Sequence, residues 1–208
     1  MAGLINCRGG QGGEGIIMSK EILEQLFDSP IKVRLLKLFL RNKELSFTLQ
    51  EAAKRIRSNS NTCQSQIRKL DSIKFITGRT KKGRKYYSLN SDFDFYNELK
   101  TLVLKSSPAS KNRIFKRLKG LGRISLVILS GIFVNIENAR IDILIVGDNI
   151  KKKNLSSFLK DLEAEVGKEI DYVVLSVSDF KYRHDMFDRF IRDILEKPHE
   201  KLINKFKI

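Results

Sequence analysis

The stretch from Thr48 to Leu89 constrains the chain more than any other. Thr48-Leu49-Gln50-Glu51 has the spacing of a capping box, in which the Thr48 hydroxyl accepts from the Glu51 backbone N–H while the Glu51 carboxylate reaches back. A helix therefore starts there. Leu49, Ala52, Ala53 and Ile56 recur at helical spacing and make one apolar stripe, and Ser58-Asn59-Ser60-Asn61 then supplies a polar turn and a new N-cap. The pattern predicts a second helix from Thr62 to Ser72 that buries Cys63, Ile67 and Leu70. At about 100° per residue, Asn61, Ser65 and Arg68 fall on its opposite face, with Thr62, Gln64 and Lys69 on the flanks.

Phe75-Ile76-Thr77 and Lys85-Tyr86-Tyr87-Ser88-Leu89 read as two strands joined by the basic loop Arg79-Thr80-Lys81-Lys82-Gly83-Arg84. Helix, turn, helix and hairpin in that order predict a winged helix-turn-helix, with Arg79, Lys81, Lys82 and Arg84 in the wing. The exposed set of the second helix suits a major groove, where Arg bridges guanine and Asn or Gln bridges adenine. From residue 54 to residue 85 the cations are Lys54, Arg55, Arg57, Arg68, Lys69, Lys74, Arg79, Lys81, Lys82, Arg84 and Lys85, against the single acid Asp71. This balance predicts a double-stranded DNA partner.

The formal net charge of +16 over 208 residues fits the same polyanionic partner. No apolar run approaches the roughly 20 residues that span a bilayer, so no membrane role is expected. Two cysteines, Cys7 and Cys63, are too few for a disulfide framework and point to a reducing cytoplasm. Residues 1–17 are expected to form a disordered, Gly-rich extension without the apolar core of a signal peptide, and Met18 is a plausible functional start. Gly9-Gly10-Gln11-Gly12-Gly13 lacks the Lys-Ser/Thr that completes a phosphate-binding loop.

Around this centre, Ser19 to Phe27 predicts a short amphipathic helix, and Ser29-Pro30 caps and opens another that carries Leu35, Leu36, Leu38 and Phe39 inward. Leu45-Ser46-Phe47 is expected to be a minor strand beside the hairpin. Phe95, Leu99, Leu102 and Val103 mark a helix within Asp92 to Lys105, long enough to pack across the domain or against a second copy. Three stretches, Leu26 to Phe39, Phe47 to Ala53 and Gly83 to Asn90, resemble bacterial winged-helix transcriptional regulators of the ArsR/MarR-like type. The resemblance implies a homodimeric, operator-binding regulator. It spans the first half of the chain, a domain taken as residues 18–105.

Ser106-Ser107-Pro108-Ala109-Ser110 reads as a linker, leaving residues 111–208 as a second domain. Its expected elements are a basic helix from Asn112 to Lys119, a strand from Ile124 to Phe133, a second from Ile141 to Gly147, a helix marked by Leu155, Phe158, Leu159, Leu162 and Val166, a third strand from Ile170 to Val177, and one long helix from Phe180 to Leu195. The whole chain is thus expected to be α/β, an α+β winged helix followed by an α/β sheet covered by helices. The aromatic residues Phe180, Tyr182, Phe187 and Phe190 are assigned to its core, with an inter-domain or dimer interface the alternative for some of them.

Leu129-Ser130-Gly131-Ile132-Phe133 followed by Arg140 to Gly147 resembles the minimal nucleotidyltransferase fold. That resemblance implies a Gly-Ser turn for the triphosphate, an Asp-x-Asp pair for divalent metal and a later carboxylate. Here the Gly is Gly131, the Ser is replaced by Ile132, the first acid is replaced by Arg140, the second remains as Asp142, and Asp171 stands for the third. A cation in place of a metal ligand removes one charge and adds repulsion, so the domain is expected to be catalytically inactive, with Gly131, Asp142 and Asp171 a vestigial nucleotide site. Asp142 is otherwise a strand acid at the sheet edge or an ion-pair partner of Arg140, and Asp148 a turn residue or the cap of the helix that follows it. His184 is expected at the surface and His199 in a turn, without a metal cluster, a cofactor or a catalytic constellation.

The expected function is a cytoplasmic, sequence-specific transcription regulator that is not an enzyme. Its second domain would supply homodimer contacts or bind a small-molecule or nucleotide effector. An active nucleotidyltransferase and the antitoxin of a toxin–antitoxin pair are the alternatives.

Overall fold

The computed structural model describes residues 23–105, 111–136 and 138–206. The extension 1–17 and the linker 106–110 lie outside them.

Helix α1, Pro30–Arg41, opens as its sequence dictates: the Ser29 hydroxyl accepts from the Lys32 N–H at 3.2 Å, and Pro30 occupies the first turn, where no N–H is needed. Its Val33, Leu35, Leu36, Leu38 and Phe39 are buried. Strand β1, Ser46–Thr48, leads into helix α2, Leu49–Arg55, and both halves of the Thr48–Glu51 capping box are present. Helix α3, Ser60–Ser72, is capped by Asn59, whose side chain accepts from the Thr62 N–H at 2.7 Å. It therefore begins two residues before the predicted start, and Asn61 belongs to its first turn.

The hairpin is more regular than the sequence suggests. Strands β2, Ile76–Lys81, and β3, Arg84–Leu89, pair until Lys81 faces Arg84, leaving a turn of only Lys82 and Gly83. Those two residues have φ values of +50° and +73°, the left-handed pair that matches the twist of flanking strands. Arg79, Lys81 and Arg84 consequently lie on strands and not in a loop. β1 joins β3 to complete a three-stranded antiparallel sheet in the order β1-β3-β2. The three helices and this sheet enclose one core that includes Phe39, Ile56, Ile67 and Phe75, an arrangement with winged helix-turn-helix topology. Helix α4, Tyr96–Lys105, covers it through Val103, while Phe95, just before the helix, and Leu102 are 67% and 47% exposed.

Helix α5, Lys111–Leu118, begins the second unit, followed by β4, Arg123–Leu129, β5, Ile143–Asp148, helix α6, Lys152–Val166, β6, Tyr172–Leu175, helices α7, Val177–Asp185, and α8, Arg189–Glu196, and β7, Glu200–Asn204. The sheet runs β6-β5-β4-β7, with β5 and β6 parallel and the other pairs antiparallel. Its two central strands are buried on both faces. Val127, Leu129, Ile143 and Ile145 meet α5 and α6, while Leu126, Ile128, Leu144 and Val146 meet α7 and α8, the alternation a pleated strand imposes.

Four readings change here. The strand expected to reach Phe133 stops at Leu129, because Gly131 turns the chain at φ +53° into a short 3-10 turn, Gly131–Phe133. The single last helix is two: Phe187 adopts φ +53°, and the Asp188 carboxylate accepts from the N–H groups of Phe190 and Ile191, starting α8 afresh. Phe180 is buried, but Tyr182 and Phe187 project outward from this break. Beyond His199 the chain forms β7 and not merely a turn, held by main-chain pairing to β4.

The two units meet where α1 and α2 pack on α6. Asn42 donates from Nδ2 to the carbonyl oxygens of Leu38 at 2.6 Å and Gly167 at 2.7 Å, joining the end of α1 to the end of α6. Gly167 ends α6 at φ +85°, and a Cβ there would stand 2.6 Å from the Lys37 carbonyl carbon. Glycine is required both by the turn and by the approach of α1.

Candidate nucleic-acid interface

The buried stripe of α3, Cys63, Ile67 and Leu70, fixes which residues face outward. Asn61, Ser65 and Arg68 are exposed along the opposite side, Lys69 is exposed beside them, and Thr62 and Gln64 are half-buried on the flank. The structure thus brings together the six residues expected on this helix. Burial also pushes the Cys63 thiol up to about 11, which leaves it a neutral packing group.

In the wing, directly paired residues share a face. Lys81 faces Arg84, and Arg79 faces Tyr86, so Arg79, Lys81 and Arg84 project from one side of the ribbon, with Lys82 at its tip. All four cations are exposed, and none makes a salt bridge with a described residue. Arg84 does help lower the pKa of Glu51, whose leading cause is the hydrogen bond from the Thr48 backbone. Lys85 points the other way, 3.6 Å from Asp71 and over the Tyr87 ring, so the one acid of the basic interval is occupied.

Not every cation counted in the sequence is available. Arg57, in the turn between α2 and α3, lies 2.8 Å from Asp161 and donates to the Ser157 carbonyl at 3.3 Å. Arg55 pairs with Glu169 at 3.0 Å. Both belong to the junction with the second unit, which sequence proximity to the turn did not reveal.

In that second unit, Gly131, Asp142 and Asp171 do come together. Asp142 precedes β5 and is buried; its Oδ1 accepts from the Ile132 N–H at 2.9 Å and its Oδ2 from the Asp171 N–H at 3.0 Å. Its own N–H donates to the Asp171 carbonyl at 2.7 Å. A Cβ on Gly131 would collide with the Asp142 carboxylate. Asp142 is therefore a main-chain staple joining the turn after β4 to the starts of β5 and β6, neither an edge acid nor the partner of Arg140. Arg140 instead lies 3.2 Å from Asp193 on α8 and over the Phe190 ring. Asp148 does not cap α6; its Oδ1 accepts from the Val177 N–H of α7 at 3.2 Å. His184 is partly exposed beside Asp185.

Among the described residues, no group of three or more His, Cys, Asp or Glu is placed to hold a metal ion, and no helix is long and apolar enough to cross a membrane. Asp142 and Asp171 line a cavity of about 1020 Å³ between the units, which Arg41, Lys100 and Lys168 also line. Arg41 was missed from the sequence because a cation in the last turn of a helix reads as a complement to the helix dipole.

No family model matches the chain, and no curated protein aligns with it significantly. A solved structure similar to part of it is the crystal structure of MepR, a transcription regulator of the Staphylococcus aureus multidrug efflux pump MepA, at TM-score 0.35 and 17% identity over 50% of this chain and 74% of that one.

Proposed function

We propose that this chain is a sequence-specific, double-stranded-DNA-binding transcription regulator of the cytoplasm. Helix α3 enters the major groove with Asn61, Ser65 and Arg68 toward the base edges, flanked by Thr62, Gln64 and Lys69. The wing lays Arg79, Lys81, Lys82 and Arg84 along the phosphates or into the minor groove. The observation that carries this reading is the pairing of an exposed polar stripe on α3 with an exposed cationic face on the adjoining hairpin that has no salt-bridge partner among the described residues. Polar residues on a rigid helix read bases, and lysines and arginines on an extended arm set affinity.

The second unit is, in this reading, a nucleotidyltransferase-like domain without the reaction. Support comes from the chemistry of Asp142, whose two oxygens serve main-chain N–H groups, and from Arg140, which stands in place of a carboxylate. Mg²⁺ prefers several carboxylate or water oxygens in octahedral geometry, and one stapled carboxylate beside a cation offers little. A homodimer is part of the proposal, because Phe95, just before α4, and Leu102 on it are exposed.

Selection of bound sequences from a random duplex pool by the full chain tests the proposal. Enrichment of a defined motif is the expected result; a pool recovered without sequence bias would leave a non-specific polyanion binder.

A further inference from the structure

Arg41 closes α1 at the wall of the cavity between the units, and its surroundings are unbalanced. Its Nε and one terminal guanidinium nitrogen are fully buried, and neither has a hydrogen-bond partner among the described residues. Desolvation lowers its pKa, while the charge of Asp142 works the other way. Asp142 gives this charge support without accepting a hydrogen bond from it; its oxygens accept from the Ile132 and Asp171 N–H groups. A buried donor on a charged group without an acceptor is among the costlier arrangements a protein keeps.

The rest of the cavity shows what would relieve it. Lys100 of α4 and Lys168 just beyond α6 stand in its walls with Asn97 and Asn135, so among the described residues three cations face two carboxylates, one of which accepts from the backbone. A volume of about 1020 Å³ admits a small metabolite. From these observations we infer that the cavity is a binding site for a small molecule carrying an oxyanion, a carboxylate or a phosphate, toward which the Arg41 guanidinium turns its two buried, unpartnered nitrogens. The planar fork of a guanidinium matches two oxygens of such a group at once. Because Arg41 and Lys100 come from the winged-helix unit and Lys168 and Asp142 from the other, the ligand bridges the two and ties their relative placement to its concentration.

The site does not depend on the winged helix reading DNA, and its test contains none. The full chain is titrated with sodium phosphate and separately with malonate at constant ionic strength, chloride serving as control, while thermal unfolding and calorimetric binding are followed. Either probe should raise the melting temperature of the wild type above chloride, and the stronger of the two identifies the anion class. Arg41→Met should weaken binding by about tenfold or more, the loss of a charge-assisted fork. Without anion, that variant should melt no lower than the wild type, because an unsatisfied buried charge has been replaced by apolar volume. Should Arg41→Met not fold, Lys168→Ala, an exposed position, should still reduce the response, whereas Lys153→Ala on the far turn of α6 should not. Equal stabilisation of wild type, Arg41→Met and Lys168→Ala by phosphate or malonate, or no response to either, would overturn the assignment.

Discussion

Lys81 and Arg84 stand directly opposite each other in the last pair of the β2–β3 ladder, and neither has an acidic partner among the described residues. Like charges so placed weaken a hairpin by a few tenths of a kcal/mol in isolation. A polyanion laid along the ribbon reverses the sign. Replacing Lys81, Lys82 and Arg84 together by Ala should therefore lower affinity on every duplex, and should reduce the slope of log Kobs against log salt by about 2.7 if all three meet phosphates. The thermal stability of the free protein should not fall. An unchanged salt slope would remove the wing from the interface.

Asp142 carries a different kind of consequence. Asp142→Ala leaves the N–H groups of Ile132 and Asp171 without their acceptor inside the fold, which should cost about 3 kcal/mol in urea unfolding. Gly131→Ala should also destabilise, by strain at φ +53° and by collision with the same carboxylate. Arg140→Ala, which loses a half-exposed ion pair with Asp193 and the contact over the Phe190 ring, should cost about 1 kcal/mol. Mg²⁺ and nucleoside triphosphates should not alter these values, nor should any nucleotide be transferred. Tight metal-dependent nucleotide binding abolished by Asp142→Ala would reverse the inactive reading.

The Cys63 thiol offers a probe of α3. With its pKa raised to about 11, the folded protein holds it neutral at pH 8, where an unfolded thiol is partly ionised. In a Cys7→Ser background, alkylation at pH 8 should proceed only at the rate of unfolding and should accelerate sharply in denaturant. Rapid alkylation of the native chain would mean that α3 detaches from its core far more readily than its burial implies.

The features foreseen from sequence are those whose signals are local. The Thr48–Glu51 box, the Ser29-Pro30 start and the apolar stripes of α3 and α6 each act within a turn or two of chain, and each is found where the residues put it. What escaped depends on distant partners. β7 is an edge strand whose ladder lies on β4, more than seventy positions earlier, and its own alternation is weak. The break before α8 needs Phe187 in a left-handed conformation, for which no glycine gave warning, although Asp188 as a cap was the available sign. Asp142 is read from the sequence as part of a vestigial nucleotide site, yet its oxygens accept from backbone of the turn after β4 and of the start of β6. Arg41, by contrast, gave no such signal and faces a cavity that exists only once the two units meet.

The central claim is that α3 reads sequence, and Arg68 is the residue on which it turns most directly. The measurement is the affinity of wild type and Arg68→Ala for a selected operator and for random duplex at one fixed salt concentration. The account predicts that the substitution lowers operator binding by about 1–3 kcal/mol more than random-duplex binding, the value of a bidentate contact with a base. Equal losses on both duplexes, or no loss on either, would contradict it.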